Sequence, residues 1–453
     1  MDQQALQEHV REAAEAAEVP GIAVGVLTAG ERHYACHGDT SVENPLAIDR
    51  HTLFQVGSTA KTFTATAVMC LVDSGLVRLD ERVRAYVPEL RLADESVAEA
   101  VTVAHLLNHT AGWDVDGEVV DTGDGDDAVA AYVASMDRLP QIAPLGSAPS
   151  YNNAALVLAG RVIEQVTGEA YDRAVERLVI RPLGMASTFH SLNDVMTRRF
   201  AVGHLQQAGG GVAVQRPWTG PRAAAPMGAR WASCAADQLT WAEFHLGDGR
   251  AADGARVLSE STLRRMQRPT TEGRMLNYQV GIAWLLREIA GVQVIEHPGD
   301  GMGFHSAFTM APERDFAISV LCNANPGGEE AKQTVVRWAL EHYAGLVPPA
   351  PKLVELDDAE LRRLAGTYGT SELVMTVTAE DRRLAIEVRM APDAGAPPEP
   401  PVRFPIGMLD RERFVVVEGP YEGLEGHFVW EDDDVTAVMH VGRLAPRMVE
   451  HAR

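Results

Sequence analysis

The sequence predicts an α+β fold in which helices flank an antiparallel sheet, followed by a small C-terminal β-barrel. Three strand-like segments, 291–297, 304–310 and 316–323, follow one another with turns between them. Strands joined by short turns pair antiparallel, so these segments predict part of a sheet. The helical pattern QTVVRWALEHYAGL comes after them, and short alternating runs follow residue 353. This mixture is typical of an α+β protein with a further all-β unit.

The N-terminal segments predict that the sheet is built from both ends of the first region. Residues 2–18 have helical periodicity, which stops at Pro20 and Gly21. The segments GIAVGVL and ERHYACHG then read as a hairpin, with a turn at Ala29 and Gly30. We expect this hairpin to join the strands of 291–323.

Helices and loops alternate in the middle of the chain. Residues 58–74 have a helical pattern, and Gly75 stands at the position of a helix C-cap. Residues 76–290 mix helical runs such as AALVLAGRVIEQVTG with loops rich in Gly, Pro and Asp. We expect these helices to pack on the sheet.

A proline-rich segment, LVPPAPK, predicts a boundary between two units. We place a first domain at 1–345, the linker at 346–352 and a second domain at 353–453. The runs LVMTVTA, RLAIEVRM, RFVVVEG, GHFVWE and TAVMHVG in the second unit predict a small antiparallel barrel or sandwich.

The charge and the N-terminus limit the classes of partner. The chain of 453 residues is 46% hydrophobic and carries a net charge of −23. Such a surface repels nucleic acid and anionic lipid, so we expect neither as a partner. The N-terminus lacks the basic start and apolar run of a secretory signal, and no segment is long enough to span a bilayer, so we expect a cytoplasmic protein. Its oligomeric state is left open.

The sequence carries no cofactor or metal signature. We find no His-Glu-x-x-His, no Gly-x-Ser-x-Gly and no phosphate-binding loop, so we expect no cofactor. The acidic segment DVDGEVVDTGDGDD, residues 114–127, departs from the EF-hand spacing and is expected to be a solvated loop. The cysteines are expected to be buried free thiols: Cys36, Cys70, Cys234 and Cys322.

The segment VGSTAK carries the strongest chemical signal. The chain has 37 arginines and three lysines, and one of these lysines, Lys61, follows Ser58 by three residues at the start of a predicted helix. Residues spaced in this way lie on one helix face. A serine hydroxyl needs a neighbouring base, and lysine can lose its proton whereas arginine cannot. Ser58 and Lys61 are therefore a candidate nucleophile and base.

Two further motifs are compatible with this chemistry. In APSYNNAAL, Tyr151 and Asn153 have the spacing Tyr-x-Asn where a loop enters a helix. A phenol near an ammonium can act as a base, and an amide two residues on can orient the lysine or a substrate carbonyl. The glycine-rich segment HPGDGMG, residues 297–303, lies between two strands and lets backbone approach a ligand closely.

Together, in this order, the three motifs resemble the serine β-lactamase and penicillin-binding-protein superfamily. The likeness is greatest to its class C β-lactamase and family VIII carboxylesterase branch, which uses Ser-x-x-Lys, Tyr-x-Asn and a Lys-Thr-Gly or His-x-Gly strand motif. LLNHTAGW, RPLGM and VPGIAVGVL are supporting phrases. The resemblance covers roughly residues 5–345 and implies an all-helical subdomain beside the sheet. The C-terminal unit resembles the lipocalin-like domain found on several members.

The resemblance implies a role for each motif residue. Ser58 would be acylated, and Lys61 and Tyr151 would act as coupled general base and acid. Asn153 would orient polar groups. In the third motif, His297 takes the place of the strand lysine, Gly299 completes His-x-Gly, and the backbone N–H groups of Ser58 and Asp300 would form the oxyanion hole.

One departure bears on the substrate. His297, Pro298 and Gly299 replace Lys-Thr-Gly, which weakens the grip on a carboxylate. No Ser-Asp-Asn is present, so the class A arrangement is missing. We therefore expect an esterase or amidase for a small ester, amide or peptide, with D-amino-acid peptides included and poor turnover of β-lactams.

Several alternatives remain. An acyltransferase or a penicillin-binding-protein-type thioesterase would use the same acyl-enzyme, whereas a non-catalytic binding protein would keep the fold without turnover. Trp113 and Trp218 either line the substrate cleft or serve as packing residues.

Overall fold

A computed structural model describes residues 3–114, 120–207, 210–380, 382–390, 401–418 and 422–448. Its α-helices are α1 (Gln3–Ala16), α2 (Lys61–Asp73), α3 (Glu95–Ala100), α4 (Val103–Leu107), α5 (Ala128–Ala134), α6 (Asn153–Thr167), α7 (Tyr171–Val175), α8 (Leu192–Val195), α9 (Ala235–Leu246), α10 (Glu260–Met266), α11 (Gly327–Ala344) and α12 (Asp358–Leu364).

The strands fall into one large sheet, two small sheets and a C-terminal barrel. Those before residue 345 are β1 (Gly21–Thr28), β2 (Glu31–Gly38), β3 (Phe54–Gln55), β4 (His204–Gln206), β5 (Val212–Val214), β6 (Ala232–Ser233), β7 (Arg274–Met275), β8 (Tyr278–Val280), β9 (Leu285–Ile289), β10 (Val292–Glu296), β11 (Gly299–Gly301), β12 (Phe304–Ala311), β13 (Phe316–Cys322) and β14 (Ala324–Asn325). Those after it are β15 (Gly366–Gly369), β16 (Leu373–Glu380), β17 (Arg383–Met390), β18 (Val402–Met408), β19 (Arg413–Val416), β20 (Glu425–Glu431), β21 (Asp434–His440) and β22 (Arg443–Pro446).

The large sheet is antiparallel and joins the two ends of the first region, as the sequence predicts. Its order is β2-β1-β13-β12-β10-β9-β8-β7, and β11 pairs with β12 beside this path. The N-terminal strand β1 pairs with β13 over its whole length, from Ile22 opposite Cys322 to Thr28 opposite Phe316. The predicted α+β class is confirmed.

Helices cover both faces of this sheet. On one face, Val24 and Val320 pack against α1 and α11. On the other, Ala23 and Leu321 belong to the core that includes α2, α6 and α9. Because successive side chains of a strand point to opposite faces, a strand buried on both sides is apolar throughout. This explains why GIAVGVL does not alternate with polar residues.

The long helix α11 begins earlier than the sequence indicates. The pattern predicted a start at residue 333, but the helix begins at Gly327. A Cβ at Gly328 would lie 3.0 Å from His305 Cδ2 and 3.1 Å from Cys322 Cβ. The glycines that weaken the helical signal are therefore needed where the first turn packs against the sheet.

The C-terminal unit is a nearly closed barrel of eight antiparallel strands, β15 to β22 in sequential order. A bridge between Tyr368 and Arg447 joins its first and last strands. Phe404, Phe414 and Phe428 fill its interior. The predicted barrel is confirmed, while its likeness to lipocalins and the predicted domain limits stay predictions.

Two global expectations can be compared with the described residues. No helix among them is both long and apolar enough to cross a bilayer; the predicted place in the cell stays a prediction. All four cysteines are free, two of them buried and two half-buried. Burial raises the pKa of each thiol, so they are poor nucleophiles.

Candidate active site

Ser58 lies in a short 3₁₀ turn, Gly57–Ala60, which leads directly into α2. Gly57 has a φ of +49°, and a Cβ there would lie 2.7 Å from the backbone nitrogen of Asp300. Only glycine satisfies both the backbone conformation and this close approach. The turn therefore holds Ser58 against β11 at the start of the helix.

Lys61 begins α2 and is fully buried. Its Nζ donates hydrogen bonds to Ser58 Oγ at 2.9 Å and to the carbonyl oxygen of Met227 at 2.6 Å. The predicted Ser58–Lys61 contact is thus present in the structure. A separation of 2.9 Å permits direct proton transfer between the two side chains.

Tyr151 approaches the same point from the loop before α6. Lys61 Nζ lies 4.8 Å from the centroid of its ring, and the ring of His297 lies 6.0 Å away. Residues from the three sequence motifs therefore meet in one place. Their catalytic roles stay predictions.

The two asparagines that follow Tyr151 have different places at the start of α6. Asn152 is the N-cap, and its Oδ1 accepts a hydrogen bond from the backbone of Ala155 at 2.9 Å. Asn153 is the first helical residue and is half-buried beside Tyr151. The cap gives Asn152 a structural role, and the orienting role of Asn153 stays a prediction.

His297 follows β10 and is 1% exposed. Its Nδ1 lies 2.7 Å from the carbonyl oxygen of Pro298, so Nδ1 carries the proton. Burial, together with the nearby Lys61 charge, lowers the pKa of His297 to about 3. The ring is therefore neutral at neutral pH, and its Nε2 is an acceptor that has no hydrogen-bond partner among the described residues.

The segment after His297 brings the two predicted oxyanion donors together. A Cβ at Gly299 would lie 2.1 Å from the carbonyl oxygen of Val56 and 2.9 Å from the backbone nitrogen of Ser58. Glycine is therefore required for this contact. It places β11, and with it the backbone of Asp300, directly beside the Ser58 turn. The position suits a hole formed by Ser58 and Asp300, which stays a prediction.

His109 is a neighbour of Tyr151 that the sequence reasoning did not single out. The two rings stack at 4.6 Å, and His109 Nδ1 accepts a hydrogen bond from the backbone of Asn152 at 3.1 Å. Burial, followed by the Lys61 charge, lowers the pKa of His109 well below its usual value. This residue lies in LLNHTAGW, so the supporting phrase contained the signal. A positive φ of +61° at His109 was not foreseeable.

The C-terminal barrel also reaches the site, which no local signal predicted. The hairpin between β21 and β22 meets the loop before α6: Gly442 O accepts a hydrogen bond from Tyr151 N at 2.7 Å, and Ser150 Oγ accepts one from Leu444 N at 3.1 Å. This contact places Arg443 Cζ 5.4 Å from the centroid of the Tyr151 ring. A guanidinium of the second unit therefore stands over the candidate general acid.

Trp113 lies in the core. It is 1% exposed, and its carbonyl oxygen accepts a hydrogen bond from Asn152 Nδ2 at 3.3 Å. This burial supports packing, the alternative that the sequence left open, over a contact with substrate. Trp218 is half-buried and stacks edge-on against Phe304.

The acidic segment 114–127 lies partly outside the described residues, which omit 115–119. Two of its described carboxylates form ion pairs with arginines. Asp124 pairs with Arg230 at 2.8 Å, and Asp126 pairs with Arg173 at 2.6 Å and with Arg222 at 2.8 Å. These contacts tie the end of the segment to the helical side of the molecule.

A Ser-Lys pair at a helix start, a tyrosine facing the lysine and a glycine-rich strand beside the serine turn form the arrangement that the resemblance implies for a serine acyl-enzyme site. The chain belongs to the Beta-lactamase family, whose profile matches residues 6–364. This family comprises serine hydrolases, so the resemblance to the β-lactamase and penicillin-binding-protein superfamily is confirmed. The carboxylesterase branch stays a prediction.

Three comparisons illustrate the relationship. Penicillin-binding protein 4 of Amycolatopsis lactamdurans is 33% identical over 365 residues, which cover 77% of this chain and 93% of that protein. Unguisins hydrolase ungD' of Aspergillus campestris is 25% identical over 342 residues, covering 73% of this chain and 63% of that protein. The crystal structure of SurE with D-Leu has a TM-score of 0.75 at 23% identity and covers 98% of this chain and 99% of that one. The shared fold thus includes the C-terminal barrel.

Proposed function

We propose that the protein is an amidase or esterase that forms an acyl-enzyme on Ser58. The observation that carries this proposal is the hydrogen bond of 2.9 Å between Lys61 Nζ and Ser58 Oγ at a fully buried lysine. A binding protein has no need of a base at this distance from a hydroxyl. Membership of a family of serine hydrolases and the hydrolase named among its relatives support the same conclusion.

In the acylation step, Lys61 in its neutral form accepts the proton of Ser58 Oγ as this oxygen bonds to the substrate carbonyl carbon. The electron pair of the carbonyl π bond moves to its oxygen, which the N–H groups of Ser58 and Asp300 stabilise. Collapse of this intermediate breaks the bond to the leaving group. The leaving group receives a proton through Tyr151, which faces Lys61.

In the second step, a water molecule attacks the acyl carbon and gives up its proton to the same base. The bond between the acyl group and Ser58 Oγ breaks, and Oγ regains a proton. The product is a carboxylic acid. Because His297 is neutral, it supplies no fixed cation beside these steps. We therefore propose neutral esters or amides as substrates and slow turnover of β-lactams.

A specific observation favours a second candidate. Arg443 places a positive charge near Tyr151 from the other side of the site. Arginine binds carboxylates through paired hydrogen bonds and stays protonated. The second candidate is thus an enzyme whose substrate or acyl acceptor carries a carboxylate, for example a peptide ending in a D-amino acid. The D-Leu in the related SurE crystal structure is a ligand of this chemical class.

Covalent labelling tests the first proposal. We expect a fluorophosphonate to add one adduct to the wild-type protein, measured by intact mass, and none to Ser58→Ala. Ser261→Ala, an exposed serine in α10, is the matched control and should be labelled normally. An adduct that survives in Ser58→Ala would refute the assignment of the nucleophile, and an unlabelled wild type without ester turnover would favour the binding protein.

Paired substrates separate the two candidates. The pair is an acyl dipeptide ending in D-leucine and its C-terminal amide, compared by kcat/KM. If Arg443 binds the carboxylate, Arg443→Met should lower the acid-to-amide ratio by about 10-fold, because charged hydrogen bonds contribute roughly 1.5–3 kcal/mol. Arg389→Met, an exposed arginine of the same barrel, is the control. If the acid-to-amide ratio does not change in Arg443→Met, the second candidate is wrong and the enzyme for neutral esters or amides is retained.

A further inference from the structure

Strand β11 carries Asp300, one of the two candidate oxyanion donors. A compact group of four charged side chains lies beside this strand. His305 Nδ1, in β12, lies 2.6 Å from Asp300 Oδ1 in β11 and 3.2 Å from Glu329 Oε2 in α11. Lys332 Nζ, one turn further along α11, forms an ion pair with Glu329 and lies 3.7 Å from Asp300. His305 Nε2 lies 2.8 Å from Asn325 Oδ1. We call Asp300, His305, Glu329 and Lys332 the charged cluster.

The surroundings of each member favour its charged form. Burial disfavours a charged His305, but the hydrogen bonds to Asp300 and Glu329 outweigh it and raise the pKa to about 9. Burial likewise disfavours the charged Lys332, and the two carboxylates raise its pKa. The cluster therefore balances two positive and two negative charges. The side chains of His305 and Lys332 are 9% and 6% exposed, whereas those of Asp300 and Glu329 are 57% and 39% exposed, so solvent screens these pairs in part.

Strand β11 needs such support because its own pairing is short. It has three residues, and within the described residues it pairs with β12 alone. It leads into a turn in which Gly301, Met302 and Gly303 all have positive φ values. A strand of this length has few backbone hydrogen bonds to fix its position. The side chain of Asp300 adds a tie to β12 and α11.

The same residue faces the nucleophile through its backbone. Asp300 N and O lie 2.7 and 2.8 Å from where a Cβ on Gly57 would be, next to Ser58. Asp300 thus contacts the cluster through its side chain and the candidate oxyanion hole through its backbone. A small displacement of a donor in such a hole lowers the rate strongly.

We propose that the charged cluster positions the Asp300 N–H for the oxyanion, and that β11 keeps this position only while the ion pairs of the cluster are intact. This inference rests on the acyl-enzyme function proposed above. His305, Glu329 and Lys332 are positioning residues, since they act through Asp300. Among the described residues, Cys322 of β13 also faces the cluster, and its raised pKa keeps it neutral. His297 feels the charge of Asp300 as well, and its lowered pKa keeps it neutral.

The cluster also has the composition of a metal site, because ligand atoms of Asp300, His305 and Glu329 lie within 4.8 Å of one another. The Lys332 ammonium, however, contacts the same carboxylate oxygens. It supplies the positive charge that an ion would bring.

Two variants test the positioning role. Lys332→Met removes the buried cation and Asp300→Asn removes the carboxylate while keeping the backbone N–H. For p-nitrophenyl acetate we expect kcat to fall by about 10-fold to 100-fold, with the rate of fluorophosphonate inactivation falling in parallel. Lys352→Met, an exposed lysine in the linker, is the matched control. Circular dichroism and the unfolding midpoint report whether each variant folds.

The pH profile supplies a readout that a purely structural role would not move. Wild-type kcat should fall as pH rises through about 9, where His305 loses its proton. In a folded His305→Gln variant this decline should disappear, and in Lys332→Met it should move to higher pH because the cation that lowers the pKa of His305 is gone.

The outcomes separate this inference from the function on which it rests. If Ser58 is not labelled in the wild type, the function proposed above is wrong. If Ser58 is labelled but folded Lys332→Met and Asp300→Asn retain wild-type kcat, or His305→Gln retains the alkaline decline, the positioning role is wrong.

Discussion

Two of the three lysines are buried in this molecule, and their surroundings differ in kind. Lys61 donates to the hydroxyl of Ser58 and to a backbone carbonyl, which are neutral groups. Lys332 lies against the carboxylates of Asp300 and Glu329. At these two contacts, Lys61 can release its proton without leaving a carboxylate uncompensated. The second holds the lysine protonated, as the raised pKa of Lys332 indicates.

The difference teaches how one residue type serves two purposes in an otherwise arginine-rich chain. Where chemistry requires a proton to move, the group must be able to become neutral, and arginine cannot. Where a buried charge only fixes geometry, its permanence is no disadvantage. The two sites should therefore respond in opposite ways to the same substitution.

The largest expected effect is the response to arginine at these two positions. Lys61→Arg keeps the charge but removes the base, so kcat for p-nitrophenyl acetate should fall by about 100-fold to 10,000-fold, the contribution of general base catalysis. Lys332→Arg keeps the ion pairs. Its kcat for p-nitrophenyl acetate should fall by no more than about 10-fold, because only the packing changes.

Lys61→Ala provides the reference for full loss, and Lys352→Arg the reference for no change. A Lys61→Arg enzyme with near-normal turnover would show that this lysine supplies only positive charge. Equal losses at both lysines would remove the distinction between the two sites.

The second expected effect is a dependence of the free energy of unfolding on pH, which comes from the charged cluster around Lys332. The folded-state pKa of His305 is about 9 against an ordinary value of 6.5. Its stabilisation is therefore fully present below pH 6.5 and is lost as pH rises through about 9. The shift corresponds to at most about 3 kcal/mol in the free energy of unfolding. Glu329 has a lowered pKa, so its contribution is present above pH 4.5 and is lost as pH falls.

Urea unfolding at pH 6 and pH 9.5 measures this difference. His305→Gln should be less stable than the wild type at pH 6 and should lose less stability on going to pH 9.5. His342→Gln, at the other end of α11, is the control. A wild type that is equally stable at both pH values would contradict a protonated His305 in the folded state.

The smallest expected effect concerns His297, whose ring lies beside that of Tyr151. His297→Lys puts a further basic side chain near Tyr151, at the position of the family's strand lysine. We expect kcat/KM for nitrocefin relative to p-nitrophenyl acetate to rise by about 10-fold, since the new ammonium can pair with the carboxylate of the β-lactam. A wild type that already prefers nitrocefin, or a ratio that does not move, would contradict the expected role of His297.

The fold was largely predictable because its signals are local. The hairpin of β1 and β2, the strands β10, β12 and β13 and five of the last eight strands have clear patterns, whereas β15, β18 and β22 were not among the predicted runs. The start of α11 was misplaced because its glycines serve a tertiary contact with His305 and Cys322. Local propensity could not reveal that contact.

The candidate site was predictable in part. Ser58 and Lys61 are three residues apart, and helix geometry alone brings their side chains together. The convergence with Tyr151 and His297 followed from a resemblance to a known family rather than from spacing. The tautomer of His297 depends on its hydrogen bond to the Pro298 carbonyl, and its charge depends on burial. Neither contact can be read from the sequence.

The sequence by itself determined the Ser-Lys pair, the antiparallel sheet built from both ends of the first region and the C-terminal barrel. The individual helices and strands depend on periodicity and on turns, which act over a few residues, whereas the pairing of β1 with β13 joins distant parts of the chain. Only the tertiary structure decided that Arg443 lies over the ring of Tyr151 and that Lys332 lies beside Asp300 of β11. The hydrogen bond from Leu444 N to Ser150 Oγ, for example, joins residues that are 294 positions apart in the chain. Such contacts arise when whole elements pack, because burial then decides which charges face each other and which are neutralised.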